Sequence, residues 1–214
     1  LHLNSNNIKR LDPGIFEGLS NLHCLYLQNN QIAFLPRGLF SDLLSLRYLT
    51  LQKNRLSVLG SGTFWGMISL QTLNLANNKI SRISDSAFHH LESLANLLSL
   101  SHNPIGSIQP FAFKGLNKLR YLSLKNVRLK CVAVNGFFGL NNLSQLILSY
   151  NDLENINSST FTLLNNLMYL QLDRNKIAKL QPEVLKPLVS LTHLQVYSNP
   201  WNCSCKVLPL LNWL

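Results

Sequence analysis

Charge is scarce in this sequence of 214 residues: only 13% are Asp, Glu, Lys or Arg, and just nine are acidic. Those acids are scattered singly, so nothing favours the paired carboxylates of general acid–base chemistry. No run of about 18 apolar residues occurs, so no segment reads as a transmembrane helix. No basic stretch followed by an apolar one opens the chain as a secretory signal would. The chain starts at Leu1-His2-Leu3, already inside the pattern described below, and is expected to be a piece of a longer protein. The missing signal and anchor therefore say nothing about location. Cysteine is limited to four residues, Cys24, Cys131, Cys203 and Cys205. The Cys203-Ser204-Cys205 pair has no companion Cys or His cluster, whereas a structural metal site needs about four ligands. His89-His90 has no carboxylate or thiol arranged beside it. Gly60-Ser61-Gly62 lacks the strand-to-helix context and the remaining glycines of a nucleotide-binding loop. No catalytic residue, metal site or cofactor is expected.

Apolar residues are plentiful, at 46%, enough for a continuous core and incompatible with a disordered chain. The net charge is +10, from 19 Lys and Arg against nine acids. That balance permits anionic partners such as nucleic acid, anionic lipid or sulfated polysaccharide without choosing among them.

The decisive signal is an internal repeat. Leu22, Leu46, Leu70, Leu94, Leu119, Leu143, Leu167 and Leu191 each begin the phrase L-x-x-L-x-L-x-x-N-x-L, at spacings of 24 residues with a single step of 25. Its L-x-L alternation has the period of two that a half-buried strand requires. The Asn column (Asn6, Asn30, Asn54, Asn78, Asn103, Asn151, Asn175, Asn199) turns the chain inward. Its amides can satisfy backbone groups of neighbouring turns that would otherwise be buried without partners. A Phe column (Phe16, Phe40, Phe64, Phe88, Phe113, Phe137, Phe161), with Leu185 last, packs the outer side of the core. Amphipathic helices would explain the apolar spacing but neither the alternation nor the Asn column. No single repeat buries its own apolar face; stacking does. The expected fold is an α/β repeat solenoid, a horseshoe with a parallel concave β-sheet. Two irregularities stand out. Val127 replaces the Asn in one repeat, so that turn must satisfy its backbone differently. The 25-residue step, in Leu94-Ala95-Asn96-Leu97-Leu98, requires either a strand bulge or an excess residue in the preceding loop.

The chain closes on Asn199-Pro200-Trp201-Asn202-Cys203-Ser204-Cys205. Together with the 24-residue, Phe-bearing repeat, this resembles the extracellular leucine-rich-repeat proteins at the opening of their cysteine-rich C-terminal cap. The resemblance implies repeats over residues 1–198, the start of a cap over 199–214, and an N-terminal cap missing from this chain. It also implies an extracellular location, with any membrane attachment through a segment outside these residues. Cys203 and Cys205 cannot sensibly bridge each other; the resemblance implies disulfides to cysteines beyond Leu214. Cys24 and Cys131 lie four repeats apart, roughly 19 Å at the spacing of stacked strands, too far for a disulfide, and read as small packed free thiols. Glycosylation sequons begin at Asn142, Asn157 and Asn202, with Asn157 on a convex segment the best placed.

All six tyrosines, Tyr26, Tyr48, Tyr121, Tyr150, Tyr169 and Tyr197, occupy x positions of the strand phrase and so point from the concave sheet. A general preference of Tyr for strands explains their place in strands but not rings left facing solvent. Tyr and Arg are enriched at protein interfaces. Arg47, Lys53, Arg120, Lys125 and Arg174 lie among them, with His23, His102 and His193, and Asp173 as the lone acid. The expected protein-binding set is Tyr26, Tyr48, Arg47, Tyr121, Arg120, Tyr150, Tyr169, Arg174 and Tyr197. Within four residues after each Asn position lie further cations, among them Arg55, Lys79, Arg82, Arg128, Lys130, Lys176 and Lys179. These would form a basic ridge able to attract a polyanion, outside the cell heparan sulfate. The expected function is ligand recognition by a cell-surface receptor or adhesion ectodomain; the alternative is a secreted matrix protein held by heparan sulfate. No nucleic-acid partner is expected, since no recognised binding module is present.

Overall fold

The structure is a computed structural model that describes residues 1–84 and 86–202. In chain order its strands are β1 (Cys24–Tyr26), β2 (Tyr48–Thr50), β3 (Val58–Leu59), β4 (Thr72–Asn74), β5 (Arg82–Ile83) and β6 (Leu97–Ser99). They continue with β7 (Ser107–Ile108), β8 (Tyr121–Ser123), β9 (Cys131–Val132), β10 (Gln145–Ile147), β11 (Tyr169–Gln171) and β12 (His193–Gln195). One helical turn, α1 (Pro182–Leu185), precedes β12. Eight strands form a parallel sheet in the order β1-β2-β4-β6-β8-β10-β11-β12. The register matches the repeat, with Leu25 against Leu49, Leu49 against Leu73 and Leu146 against Leu170. His2 bridges Tyr26 as a further rung at the start of the sheet. Helical content among the described residues is confined to α1; the outer side is built from turns and the two-stranded pairs β3-β5 and β7-β9. This is the leucine-rich-repeat solenoid.

The core runs the length of the stack. Leu25, Leu49, Leu73, Leu98, Leu122, Leu146 and Leu170 are all wholly buried, each worth about 1.5–3 kcal/mol relative to exposure. The Phe column forms a continuous spine. From Phe16 to Phe161 successive rings stack near-parallel with centroids 5.9–6.4 Å apart. Leu185, buried on α1, holds the next position.

The Asn column does what its chemistry predicts. Asn78 donates from Nδ2 to the carbonyls of Leu51 and Leu75, both at 3.0 Å, and its Oδ1 accepts from the Leu56 amide at 3.0 Å. Asn54 does the same with Leu27, Leu51 and Ile32, and Asn175 with Leu148, Leu172 and Leu153. Each Asn therefore ties its own turn to the one before. At Val127 the ladder is rerouted. The Val127 amide donates to Asn151 Oδ1 (2.9 Å), which also takes Leu129 N–H (3.0 Å). Ile105 N–H, which an Asn at 127 would have served, turns back to the Asn103 carbonyl (3.0 Å).

The 25-residue step is a bulge at the beginning of a strand. Asn96 and Leu97 N–H both reach the Gln71 carbonyl, at 2.9 and 3.4 Å, as Arg47 and Tyr48 reach that of His23. On the other side Arg120 N–H reaches Ala95. Ala95 and Asn96 thus share the place of one residue, and β6 pairs with β8 over Leu98 and Ser99 alone. On the outer side a second seam joins most turns: Gln31, Arg55 and Lys79 amides donate to Ile8, Ile32 and Leu56 carbonyls at 2.8–2.9 Å. Pro104 has no N–H, and the seam is interrupted there. The flanking β5 and β7 do not pair, leaving a groove of about 1250 Å³ lined by Ile83, Ser84, Ile108 and Phe111.

Candidate recognition surface

The x positions of the phrase form the open face of the eight-stranded sheet, because period-two strands send alternate side chains to opposite sides. Burial follows: β1 and β4 read half-buried, buried, half-buried across their three residues. The last x before each Asn takes the left-handed backbone region throughout, including Asn29, Lys53, Asn77, His102, Asn126, Tyr150, Arg174 and Ser198, with φ between 53° and 59° save for Tyr150 at 60°. That bend swings the chain off the sheet and sets these side chains along its edge. Asn fits it readily; Lys53, Tyr150 and Arg174 occupy it as well.

Four of the six tyrosines lie on strands: Tyr26, Tyr48, Tyr121 and Tyr169. Tyr197 follows β12, and Tyr150 sits at the left-handed bend after β10. Tyr48, Tyr150, Tyr169 and Tyr197 are exposed; Tyr26 and Tyr121 are half-buried. They divide into two groups. Near the beginning, Tyr26 stacks on His2 at 4.5 Å, with Tyr48 on the next strand. The Cys24 side chain beside Tyr26, by hydrogen bonding first and then by charge, raises that phenol above its ordinary value, with burial and Tyr48 adding to it. Toward the end, Tyr169 stacks on His193 at 4.2 Å. Tyr150 lies between Lys125 Nζ, 4.7 Å from its ring centre, and Arg174 Cζ at 4.8 Å. Between the groups, Thr72, Asn74 and Leu97 carry no aromatic ring.

Arg47 and Arg120 are exposed on this face, as expected. Asp173 is not part of it: the residue is 2% exposed and its Oδ1 accepts from the Ser149 hydroxyl at 2.6 Å. Burial beneath the edge removes the one acid the sequence had placed among the cations. The stacking partner His2 and the cation–π role of Lys125 lay outside the expected set. The repeat phase gave only part of the signal for Lys125: Tyr150 and Arg174 fall at equivalent edge positions of successive turns, whereas Lys125 stands one position earlier, in line with Ser149 and Asp173. A further pair on the outer side, Arg37 over Trp65 at 5.6 Å, carried no such signal.

The ridge cations Arg55, Lys79, Arg82, Arg128, Lys130, Lys176 and Lys179 are all exposed. The ridge is not uniformly positive. Asp152 stands among them and pairs with Lys176 at 2.7 Å. That hydrogen bond, helped by Lys130 and Arg128 and opposed by partial burial, holds the Asp152 carboxyl below its ordinary value. Cys24 is half-buried, whereas Cys131 is exposed on β9 and is not the packed thiol the sequence implied. Asn157 is exposed, and its Oδ1 accepts from the Ser159 amide and hydroxyl at 2.9 and 2.8 Å. Asn142 is exposed but donates Nδ2 to the Asn117 carbonyl at 2.7 Å. Asn202 is exposed; the rest of its sequon, with Cys203 and Cys205, lies outside the described residues. Among the described residues, no cluster of His, Cys, Asp and Glu is placed to hold a metal, and no helix is long and apolar enough to cross a membrane.

A family model described as leucine rich repeat matches residues 1–56, 45–98, 95–153 and 142–200. The chain belongs to the leucine-rich-repeat family. No curated protein matches it. Among solved structures it is similar to a chain of the TLR13–ssRNA13 complex, at 30% identity and a TM-score of 0.77, covering 87% of this chain and 30% of that one. It is also similar to the FLRT2 leucine-rich repeats in an octameric complex with latrophilin 3 and Unc5D, at 27% identity and a TM-score of 0.79, covering 99% of this chain and 64% of that one. The Toll–Spätzle complex of Drosophila shares the fold, at 19% identity and a TM-score of 0.73, covering 99% of this chain and 34% of that one. The chain thus spans between 30% and 64% of the length of these solved chains.

Proposed function

We propose that this chain is the ligand-recognition part of an extracellular receptor or adhesion protein, and that it binds a protein partner on the open face of its sheet. The observation that carries this reading is the placement of Tyr48, Tyr150, Tyr169 and Tyr197, exposed on one face together with Arg47, Arg120 and Arg174. Large rings with a polar tip give contact area at small entropic cost, and a structural role does not require them in water. FLRT2 and Toll, which share the fold, are seen in complexes with proteins. An extracellular setting accords with the exposed Asn157, which we propose carries a glycan, and with the Cys203 and Cys205 motif, whose disulfides would complete a cap. The stretches Ile8 to Phe16 and Ile108 to Leu116 resemble synleurin, a predicted single-pass membrane protein, and on that resemblance we propose a membrane-anchored receptor.

The test is a screen of the glycosylated chain against a panel of purified extracellular domains, repeated with the Tyr48→Ala, Tyr121→Ala, Tyr169→Ala triple variant. The expected result is a partner whose binding is lost in the variant while the melting temperature holds. Partners that bind the variant as well as the parent would remove the sheet face from consideration. A heparan sulfate reading rests on the ridge, where Arg128, Lys130 and Lys179 remain without salt bridges among the described residues. It is weakened by Asp152 and would show as heparin affinity lost on charge reversal at Arg82, Arg128 and Lys179.

A further inference from the structure

The sheet face is electrically one-sided. Arg47, Lys53, Arg120 and Arg174 are exposed on it and Lys125 half-exposed, while its one acid, Asp173, is turned inward onto Ser149. The two salt bridges among the described residues, Arg10–Asp12 and Lys176–Asp152, lie elsewhere. The five cations of this face therefore have no carboxylate partner among the described residues. Two of them are also held in place. Lys125 and Arg174 approach the Tyr150 ring from the turns before and after it, which limits the freedom of side chains that would otherwise sweep through water. The backbone fixes this order, since Asn126 N–H donates to Ser149, Tyr150 N–H to Asp173 and Arg174 N–H to Tyr197, at 3.0, 3.1 and 3.0 Å. The two cationic heads sit about two strand spacings apart, roughly 10 Å, with the Tyr150 ring between them.

We infer that the Lys125–Tyr150–Arg174 clamp is the docking point for an acidic segment of the protein partner, with carboxylates on either side of the Tyr150 ring. An extended chain rises about 3.3 Å per residue, so acids two or three positions apart along a partner strand would reach both heads. Fixed cations lose less freedom on binding than mobile ones, and unpaired cations with no exposed acid on this face among the described residues repel basic partners. Single-stranded nucleic acid is the other polyanion such a surface brings to mind. Its bases need free ring faces to stack on; at the clamp the Tyr150 ring is already approached by two cations, which favours carboxylates there, while the exposed Tyr48 and Tyr197 make RNA an outcome for the test to decide.

This inference rests on the sheet face being the recognition surface, and the test separates the two. Fluorescence anisotropy would compare a labelled 12-residue peptide of alternating Glu and Tyr, its Gln-for-Glu counterpart and a 12-nucleotide single-stranded RNA. Each is titrated into the parent chain, a Lys125→Gln, Arg174→Asn variant, and the triple tyrosine variant. Asn at 174 keeps the left-handed backbone acceptable, as it does at Asn29 and Asn77. The expected result is binding of the acidic peptide that weakens with salt, is about tenfold weaker for the Gln peptide, and falls about tenfold in the double variant. Equal binding of the Glu and Gln peptides, or no loss in the double variant, overturns the clamp. If the tyrosine variant nevertheless loses binding, the face survives as the recognition surface; if neither variant changes anything, both readings fall. Tighter binding of the RNA, lost in the double variant, overturns a protein partner at the clamp in favour of a nucleic acid.

Discussion

Replacing Asn78 by Ala removes a buried side chain that ties two turns together. Its Nδ2 bonds to Leu51, Leu75 and Ala76 carbonyls are lost, at 3.0, 3.0 and 3.3 Å. The consequences differ by group. Leu51 O keeps Asn54 Nδ2 and Leu75 O keeps Asn103 Nδ2, so no carbonyl of that pair is orphaned. The Leu56 N–H loses the acceptor Asn78 Oδ1 and is buried with nothing else to bond. Two well-made bonds at about 1 kcal/mol each, and one orphaned buried donor at about 1–3 kcal/mol, sum to roughly 3–5 kcal/mol. Asn6→Ala is the control: Asn6 is exposed, bonds at 3.2 Å to Leu3 and Asn4 carbonyls, and its loss should cost well under about 1 kcal/mol. Urea unfolding followed by circular dichroism measures both, with amide exchange at Leu56 as the local readout, since repeat proteins open turn by turn. A loss below about 1 kcal/mol for Asn78→Ala, with Leu56 still protected, would refute the account of the Asn ladder.

Two further outcomes follow from the geometry. At Gly66 a Cβ would lie 2.3 Å from the Ser41 carbonyl oxygen, and φ is +86°. Gly66→Ala should therefore lower stability by about 1–3 kcal/mol, seen as a lower urea midpoint; an unchanged midpoint would show that the two turns are not in close contact there. The Asp152 carboxyl, held down first by its hydrogen bond with Lys176, stabilises the fold above its unfolded value near 4 and loses that contribution as pH falls through the folded value. The melting temperature of the parent should exceed that of Asp152→Asn slightly at pH 6 and converge with it near pH 3, the effect being small because the pair is partly exposed; a gap undiminished at pH 3 would count against the pair.

The sequence by itself determined the solenoid. A period of 24 residues, an L-x-L alternation and columns of Asn and Phe leave one consistent arrangement, because each column has a single chemical task that stacking alone fulfils. It also placed Tyr26, Tyr48, Tyr121 and Tyr169 at outward strand positions, since period two is a property of the strand and needs no tertiary information; Tyr150, at the left-handed bend, and Tyr197, past β12, lie beyond the strands. Other matters lay beyond it. Whether the extra residue near Ala95 bulged the strand or lengthened a loop depended on which carbonyls the amides of Asn96 and Arg120 could reach across the neighbouring turns. How the turn at Val127 met its hydrogen bonds depended on Asn151 having a second lone pair to offer. Asp173 read as a surface acid because its position alternates outward, but the Ser149 hydroxyl on the preceding turn drew it in. Only stacking decided which cation met which ring: Lys125, Tyr150 and Arg174 are 24 or 25 residues apart in the chain, and their encounter exists because the repeat sets them on adjacent rungs.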